Sequence, residues 1–528
     1  MALNWLRQTT YSVLATRARV FPDQLALLLV DADGQAPTPV TYAGLHAGVL
    51  RTARSLWGTG VRPGTHVGVW ADNSTAWIEA WLASSLLGAV TVAVNPRLTK
   101  REVAGLLAAT DVTHLLAGGR TVGGAAELLG AGEVPAHTYA IDGSDELPSL
   151  FRHDAPYVAA QIDGRRVGLI QFTSGSTGMP KGVQLREGAV ATVGACGASR
   201  WLLSPSDRML AVFSFAHNAG STFTTMAVFT AGAALVLPRD GWAAGAGATV
   251  AQQTGVTVLG GVDTIISDLL ASQLRPPSLR AVVGGFDSAT AQRLVDNLSV
   301  EVANTFGLSE TTAHSTTGDL RDPPSRRIER IGLPHPGLAI RIVDPDGPED
   351  VALSAGTAGE IQVSGWSLMK GYYGLPPREQ PFTGDGWVRT GDLGTLDEDG
   401  YLMFLGRLKD VIRSGGENVA AFEIERFLES HPAVLQAAVV PAPHSRFGEV
   451  PFAFVRLRPQ AVLSGDELIA FCRGQLAAFK IPRGVEIVDR FPLIGIDKVS
   501  KAELREQATR LTTAPAASSR STGCDAGR

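Results

Sequence analysis

Apolar and polar positions along the chain change period repeatedly, and each change marks a new element. From Thr41 the apolar positions Tyr42, Leu45, Val49, Ala53 and Leu56 recur at helical spacing behind a threonine N-cap, and the run stops at Gly58 and Gly60. Short apolar runs then take over. HVGVW (His66 to Trp70), VTVAV (Val90 to Val94) and THLL (Thr113 to Leu116) predict buried strands, with helical patterns over 74–87 and 99–108 between them. RVGLIQF (Arg166 to Phe172) is another such run. The alternation resumes with LAVF (Leu210 to Phe213), AALVL (Ala233 to Leu237), VTVLGG (Val256 to Gly261) and LRAVVGG (Leu279 to Gly285). Strands alternating with helices predict parallel sheets covered by helices, and in such sheets ligands bind at the carboxyl ends of the strands.

A more β-like stretch follows, with AIRIVD (Ala339 to Asp344), GEIQVSG (Gly359 to Gly365), WVRTGDLG and the YLMFLG strand. At GRLKD (Gly406 to Asp410) the chain restarts with a helical run over Phe422 to Leu428, strands near 435–440 and 451–457, and a helix near 465–478. That is enough for a small α+β domain. The fold expected is α/β: a large N-terminal domain over 1–407 of mainly parallel sheets plus a β-rich subdomain, then an α+β domain over 411–511. From Thr512 the composition of Ala, Ser, Thr, Gly and Arg predicts a disordered tail.

Composition narrows the function classes. With 528 residues, 45% hydrophobic and 18% charged, the chain can bury several cores, and a net charge of −5 without basic clusters argues against nucleic acid as a partner. Cys196, Cys472 and Cys524 are too far apart for a metal or redox motif, which fits a reducing compartment. The N-terminus lacks an apolar signal segment and the longest apolar stretch, Ala80 to Val94, is interrupted by Ser84, Ser85, Gly88 and Thr91. No membrane span is expected, and the localisation expected is cytoplasmic.

The chemistry centres on QFTSGSTGMPKGV, Gln171 to Val183. After the apolar strand, Thr173, Ser174, Gly175, Ser176, Thr177 and Gly178 force a turn in which glycines let backbone N–H groups converge, hydroxyls add donors and Lys181 supplies charge. This suits a polyphosphate. It is not the Walker pattern, because Lys181 follows Pro180 and precedes Gly182. The run resembles the phosphate-loop signature of the adenylate-forming superfamily, which holds acyl- and aryl-CoA ligases, peptide-synthetase adenylation domains and luciferases. The resemblance extends over roughly 35–510, with further motifs in the family's order, and the version of the segment VNPRLT is that of the acyl-CoA ligases.

Residue by residue, the resemblance implies the following. In TFGLSETT (Thr305 to Thr312), Phe306 stacks on adenine, Thr305 and Ser309 line the nucleotide site, and Glu310 holds Mg²⁺; Asn304, Gly284, Gly285 and Phe286 wall the adenine pocket. A hard cation takes a carboxylate together with phosphate oxygens, and a ring face suits a purine. In GWVRTGDLG, Asp392 accepts from the ribose hydroxyls, with Arg407 nearby. His217 stands at the gate between the acid site and the pantetheine tunnel. Asn218, Ala219 and Gly220, with Phe215, Gly261, Gly284, Gly307, Ala313 and His314, should surround the acid, and these mostly small walls point to a bulky or ring-containing apolar acid.

In the small domain, which the resemblance makes mobile about a hinge at 408–410 with Lys409 at its centre, Gly415 and Gly416 face the active site during thioester formation. Phe447 and Phe479 are candidates for stacking on CoA, and Lys498 is the catalytic lysine. ATP, or AMP as acyl-AMP, with Mg²⁺ and coenzyme A are the cofactors implied; a small carboxylic acid and CoA are the partners. Two departures matter. Ala421 replaces a proline, and the lysine loop reads PLIGIDK, with Ile494 and Asp497 in the threonine and glycine positions. Asp497 beside Lys498 could pair with the ammonium, so thioesterification of an acyl adenylate supplied by a partner enzyme remains open. An aryl-acid or carrier-protein-loading enzyme, an ATP-binding pseudoenzyme and a homodimer also remain open.

Overall fold

The helix expected after Thr41 forms over Tyr42–Gly58, where the Thr41 side chain accepts the Gly44 N–H at 3.1 Å and Tyr42, Leu45, Val49, Ala53 and Leu56 are buried. The computed structural model describes residues 7–30, 36–161, 163–173, 180–238, 246–272, 274–348, 351–414, 417–494 and 498–513, excepting the side chains of 246, 263, 264, 417, 418, 494, 498 and 513. The chain divides into two compact units, Met1–Thr390 with Gly394–Phe404, and Gly391–Leu393 with Leu405–Arg528.

In the first unit one six-stranded sheet runs His137–Ala140, His114–Gly118, His66–Ala71, Val90–Val94, Val167–Thr173 and Lys181–Arg186. The first five are parallel and the last is antiparallel. The connecting helix Thr75–Leu87 is buried on all sides from Trp77 onward, capped by Ser74 and closed by Gly88 in the left-handed region. That explains why its sequence is apolar without a polar face.

A nine-stranded sheet holds six parallel strands in the order Glu301–Phe306, Ala281–Gly285, Val258–Val262, Arg208–Leu210, Ala234–Pro238 and Leu25–Val30. Antiparallel edges flank them: Thr316–Thr317 and Leu333–Pro334 on one side, Thr38–Thr41 on the other. The strand expected over Leu210 to Phe213 ends at Leu210. Beyond it the Val212 N–H turns back to the Leu210 carbonyl, and the Asn73 side chain donates to the Phe213 carbonyl at 2.7 Å and accepts the Phe215 N–H at 2.8 Å. A side chain from another segment has displaced the ladder there, which no local pattern reports.

The β-rich region pairs Leu338–Val343, Gly359–Gly365, Val388–Leu396 and Leu402–Arg407 in sequence order. Behind it Phe306, Ile331, Ile342, Ile361, Val363, Leu368, Val388 and Leu402 form an apolar cluster.

The second unit carries a five-stranded sheet in which Glu417–Ala420, Val411–Ser414, Gly448–Leu457 and Val434–His444 follow one another and Gly484–Ile487 joins Gly448–Leu457 in parallel. Its helices are Ala421–Glu429, Gly465–Cys472 and Lys501–Thr513. The helix expected to reach 478 stops at Cys472, because Arg473 is extended and Gly474 turns left-handed. Of the tail expected from Thr512, residues 514–528 lie outside the described residues. Among the described residues no helix is long and apolar enough to cross a membrane.

Candidate active site

The antiparallel register of Val167–Thr173 with Lys181–Arg186 places Thr173 opposite Lys181, so the loop between them leaves and returns at one point. Ser174, Gly175, Ser176, Thr177 and Gly178 lie outside the described residues. Lys370 to Tyr373 runs alongside the return strand: the Lys370 N–H meets the Gln184 carbonyl at 2.9 Å, the Tyr373 N–H meets the Gly182 carbonyl at 2.7 Å, and Tyr372 bridges to Val183. This lays the Tyr372 ring under Lys181, whose Nζ is 4.8 Å from the ring centroid. The Tyr372 hydroxyl then donates to Glu310 Oε1 at 2.7 Å. Burial, the Glu310 charge and this hydrogen bond push the phenol far above its ordinary range, so it remains a donor.

Glu310 sits in a short 3-10 turn, Ser309–Thr311, and its carbonyl accepts the Met369 N–H at 2.9 Å. The chain leaves this turn through Thr312 and Ala313, both left-handed at φ 58° and 74°. Such conformations cost non-glycine residues of order 1–3 kcal/mol each and persist where the surroundings over-determine them. Here the Thr312 hydroxyl is fixed on the Ser367 carbonyl at 2.6 Å. A single carboxylate beside a polyphosphate-type loop fits a magnesium ion that arrives with its nucleotide, since such ions take one or two carboxylates and the substrate's phosphates. Among the described residues no group of three or more His, Cys, Asp or Glu side chains could hold a metal.

The next wall is tied together by Asn304, whose Oδ1 accepts the Phe286 N–H at 3.2 Å and the Thr305 N–H at 2.9 Å while Nδ2 donates to the Phe286 carbonyl. The Gly285–Phe286 turn is thereby fastened to the end of the neighbouring parallel strand. A Cβ on Gly285 would meet nothing within 4 Å. Phe306 is 6% exposed and packs toward Phe404 with ring centroids 6.1 Å apart. Asp392 and Arg407 are brought together, with Nε 3.4 Å from Oδ1 and the carboxylate buried.

The segment expected to meet the acid begins at His217. Its Nδ1 accepts the Ala219 N–H at 3.1 Å, which puts the ring proton on Nε2, and burial lowers its pKa, so the imidazole is neutral. Ala219–Met226 is a π-helix, with the Thr224 and Thr225 hydroxyls bonding back to the Ala219 and Gly220 carbonyls at 2.7 and 2.8 Å. Irregular helix of this kind is frequent at functional sites. Asn218 is 2% exposed and, among the described residues, neither of its amide atoms has a hydrogen-bond partner.

The glycines do a different task from the one their size suggests. A Cβ on Gly284 would fall on the Gly261 carbonyl oxygen, one on Gly307 on the Ala313 carbonyl, and one on Gly220 on the Ser214 carbonyl. These three are small because backbones approach closely, and at Gly261 a Cβ would crowd Ile266. Phe215 packs into the core against Trp77, centroids 5.4 Å apart. Behind Gly307, His314 Nδ1 and His335 Nε2 are 2.7 Å apart, both rings buried and both held neutral by burial, His314 down to about 3.

In the second unit Lys409 lies in the 3-10 turn Leu408–Asp410, and the Arg505 guanidinium donates to its carbonyl at 3.4 Å. Lys501 pairs with Glu425 at 2.7 Å and Asp410 at 3.7 Å. Phe447 has the guanidinium groups of Arg446 and Arg483 at 5.3 and 5.7 Å from its ring, and Phe479 is 37% exposed beside Lys480. The backbone of Lys498 pairs with Ile494 in a two-stranded ribbon. Its side chain, the Ile494 side chain, Asp497, Gly415 and Gly416 lie outside what is described.

Tyr372 was missed by sequence reasoning, as were Asn73 and His335. The run GYYG, Gly371 to Gly374, reads locally as a loop. Its placement beside the phosphate loop is a tertiary event.

The family model for the AMP-binding enzyme matches residues 14–373 and that for the AMP-binding enzyme C-terminal domain matches 423–498. A 3-[(3aS,4S,7aS)-7a-methyl-1,5-dioxo-octahydro-1H-inden-4-yl]propanoyl:CoA ligase of Rhodococcus jostii is 32% identical, over 94% of this chain and 98% of its own. A feruloyl-CoA synthase of an Amycolatopsis species is 32% identical over 93% and 97%. Among solved structures, o-succinylbenzoate CoA synthetase of Bacillus subtilis in complex with its acyl-adenylate intermediate superposes with a TM-score of 0.79 at 27% identity, covering 94% of this chain and 98% of that one.

Proposed function

Because the chain belongs to the AMP-binding enzyme family, the adenylate-forming superfamily, and is most like its acyl-CoA ligases, we propose that it activates a bulky or ring-containing apolar carboxylic acid as an acyl adenylate and transfers the acyl group to CoA. The observation that carries this is the convergence of Lys181, Tyr372 and Glu310 at the mouth of a hydroxyl-rich loop. That is a place for a triphosphate. The carboxylate attacks the α-phosphorus, pyrophosphate leaves, and the thiol then displaces AMP at the acyl carbon.

In this reading Thr173 to Gly178 and Lys181 hold the phosphates, Gly285, Phe286, Asn304, Thr305, Phe306 and Ser309 receive the adenosine, and Asp392 and Arg407 take the ribose. Mg²⁺ on Glu310 would supply neutralisation of the charge that builds on the leaving group. Lys498 meets the acid and the α-phosphate in adenylation. The second unit then turns about Lys409 to present the Gly415–Gly416 face for thiol attack, with His217 at the gate.

Two features support the finer points. Phe447 between Arg446 and Arg483 offers one ring and two cations, which suits the base and phosphates of CoA better than a carrier protein's helix. Asn218, buried with neither amide atom partnered among the described residues, favours among ring acids one that carries a hydrogen-bonding group to satisfy it.

The test is mass spectrometry of products from aryl, polycyclic and fatty acids with magnesium-ATP and CoA, beside matched synthetic acyl adenylates with CoA. Acyl-CoA from both inputs is the result expected. Acyl-CoA from the adenylates alone would make the protein a thioesterifying enzyme fed by another, and nucleotide binding without product would make it a pseudoenzyme.

A further inference from the structure

Tyr372 touches both charged groups that meet at the phosphate loop. Its hydroxyl donates to Glu310 Oε1 at 2.7 Å and its ring carries Lys181 Nζ at 4.8 Å from the centroid. The residue itself is fixed independently of both: its N–H is held by the Gln380 side chain at 2.7 Å, and its backbone is pinned to the loop's return strand through the Val183 bridge and the adjoining Tyr373 to Gly182 hydrogen bond. The residue is 9% exposed. An aromatic needed only as core filling would have no use for a hydroxyl aimed at a carboxylate.

A carboxylate that holds a metal is commonly oriented by a donor on one of its oxygens, which leaves a defined lone-pair direction for the ion. A lysine that must meet a phosphate at a fixed place is restrained by a ring face that does not compete for its protons. Tyr372 does both from one side chain. We propose that Tyr372 is a positioning residue that sets the Glu310 carboxylate for a divalent cation and the Lys181 ammonium for the nucleotide's phosphates, so that the two are registered to each other. This rests on the reading of Glu310 as the metal's carboxylate and Lys181 as a phosphate ligand.

The hydroxyl and the ring make separate contacts, so two variants separate them. Tyr372→Phe keeps the ring under Lys181 and removes the donor to Glu310; Tyr372→Leu removes both. The full-length protein is titrated with Mn²⁺, followed by its spin resonance signal, in the presence of a non-hydrolysable ATP analogue, and the analogue alone is titrated calorimetrically in EDTA. Tyr372→Phe is expected to weaken Mn²⁺ about tenfold and to leave metal-free nucleotide affinity unchanged, with a melting temperature like that of the parent. Tyr372→Leu is expected to weaken metal-free nucleotide binding as well, about 2- to 5-fold.

A Tyr372→Phe protein that binds Mn²⁺ as the parent does overturns the proposal, as does equal loss of metal and metal-free nucleotide in that variant. Glu310→Gln run alongside separates the two levels: if it too leaves Mn²⁺ affinity intact, the assignment of Glu310 fails, whereas loss in Glu310→Gln with none in Tyr372→Phe refutes the positioning role alone. Should Tyr372→Leu not fold, Tyr372→Phe decides.

Discussion

At the end of the site proposed for the phosphates, side chains from distant segments are held by named partners: Glu310 by Tyr372, Lys181 over the same ring, the strained Thr312 by Ser367. At the end proposed for the acid the surface is made largely of what is missing. Gly284, Gly307 and Gly220 lack side chains so that backbones can touch, His314 and His335 are buried neutral, and among the described residues the Asn218 amide atoms have no hydrogen-bond partner. The difference follows from what each end must do. Stabilising a known charge calls for fixed donors, which every member of a reaction class needs alike. Fitting one acid calls for a shape, and a shape can be made from many sequences.

The contrast can be broken first by acid. His314 has its pKa lowered from 6.5 to about 3 and His335 moves the same way, with the Arg200 charge adding to both shifts. Below pH 6.5 the unfolded chain therefore binds protons that the native pair refuses, and stability is lost as pH falls toward about 3. Each imidazole is expected to contribute a slope of about 1.4 kcal/mol per pH unit in that window. Urea midpoints at pH 7 and pH 5 measure it, and the His314→Gln/His335→Gln double variant should flatten the slope. An equally steep slope in the double variant would show that the pair is not the source.

Glu310→Gln attacks the other end. It keeps the size of the side chain and removes its charge, so adenylation should fall by about 3–4 kcal/mol, or 10²–10³-fold, while the melting temperature stays near that of the parent. Pyrophosphate release is the assay. Loss of stability in proportion to loss of rate would mean that Glu310 serves the fold.

Gly284 and Gly285 then sharpen the comparison within two adjacent residues. An alanine at 284 meets the Gly261 carbonyl, and Gly284→Ala is expected to cost about 1–3 kcal/mol of stability. At 285 there is open space, so Gly285→Ala should leave the melting temperature within a degree or so and change only ATP binding, by a small factor. Equal destabilisation by the two would contradict the distinction between glycines that allow contact and one that borders space.

The fold was legible where period and chemistry coincide. Tyr42–Gly58, Val90–Val94 and Val167–Thr173 lie where spacing places them, because parallel strands and amphipathic helices write their burial into local sequence. The strand after Arg208 was shortened by the Asn73 side chain, and the helix after Gly465 by a left-handed Gly474. Glu310 and Lys181 could be singled out from sequence for a similar reason, since phosphate and metal chemistry needs particular residue types at short spacing, and the structure brings both against Tyr372. Tyr372 was not legible, since its place comes from a bridge to Val183, nearly 190 positions earlier. Nor was the use of Gly284 and Gly307, because smallness in a sequence reads as space whether the structure leaves it open or fills it with backbone.

The central claim, that this acid–thiol ligase proceeds through an acyl adenylate, is tested most directly by oxygen transfer. The enzyme is given a carboxylate labelled with ¹⁸O in both oxygens, magnesium-ATP and CoA, and the nucleotide product is weighed by mass spectrometry. Attack of the carboxylate on the α-phosphorus followed by thiol attack on the acyl carbon must leave one labelled oxygen on AMP. Unlabelled AMP, or ADP carrying no label at its α-phosphate, would contradict that route.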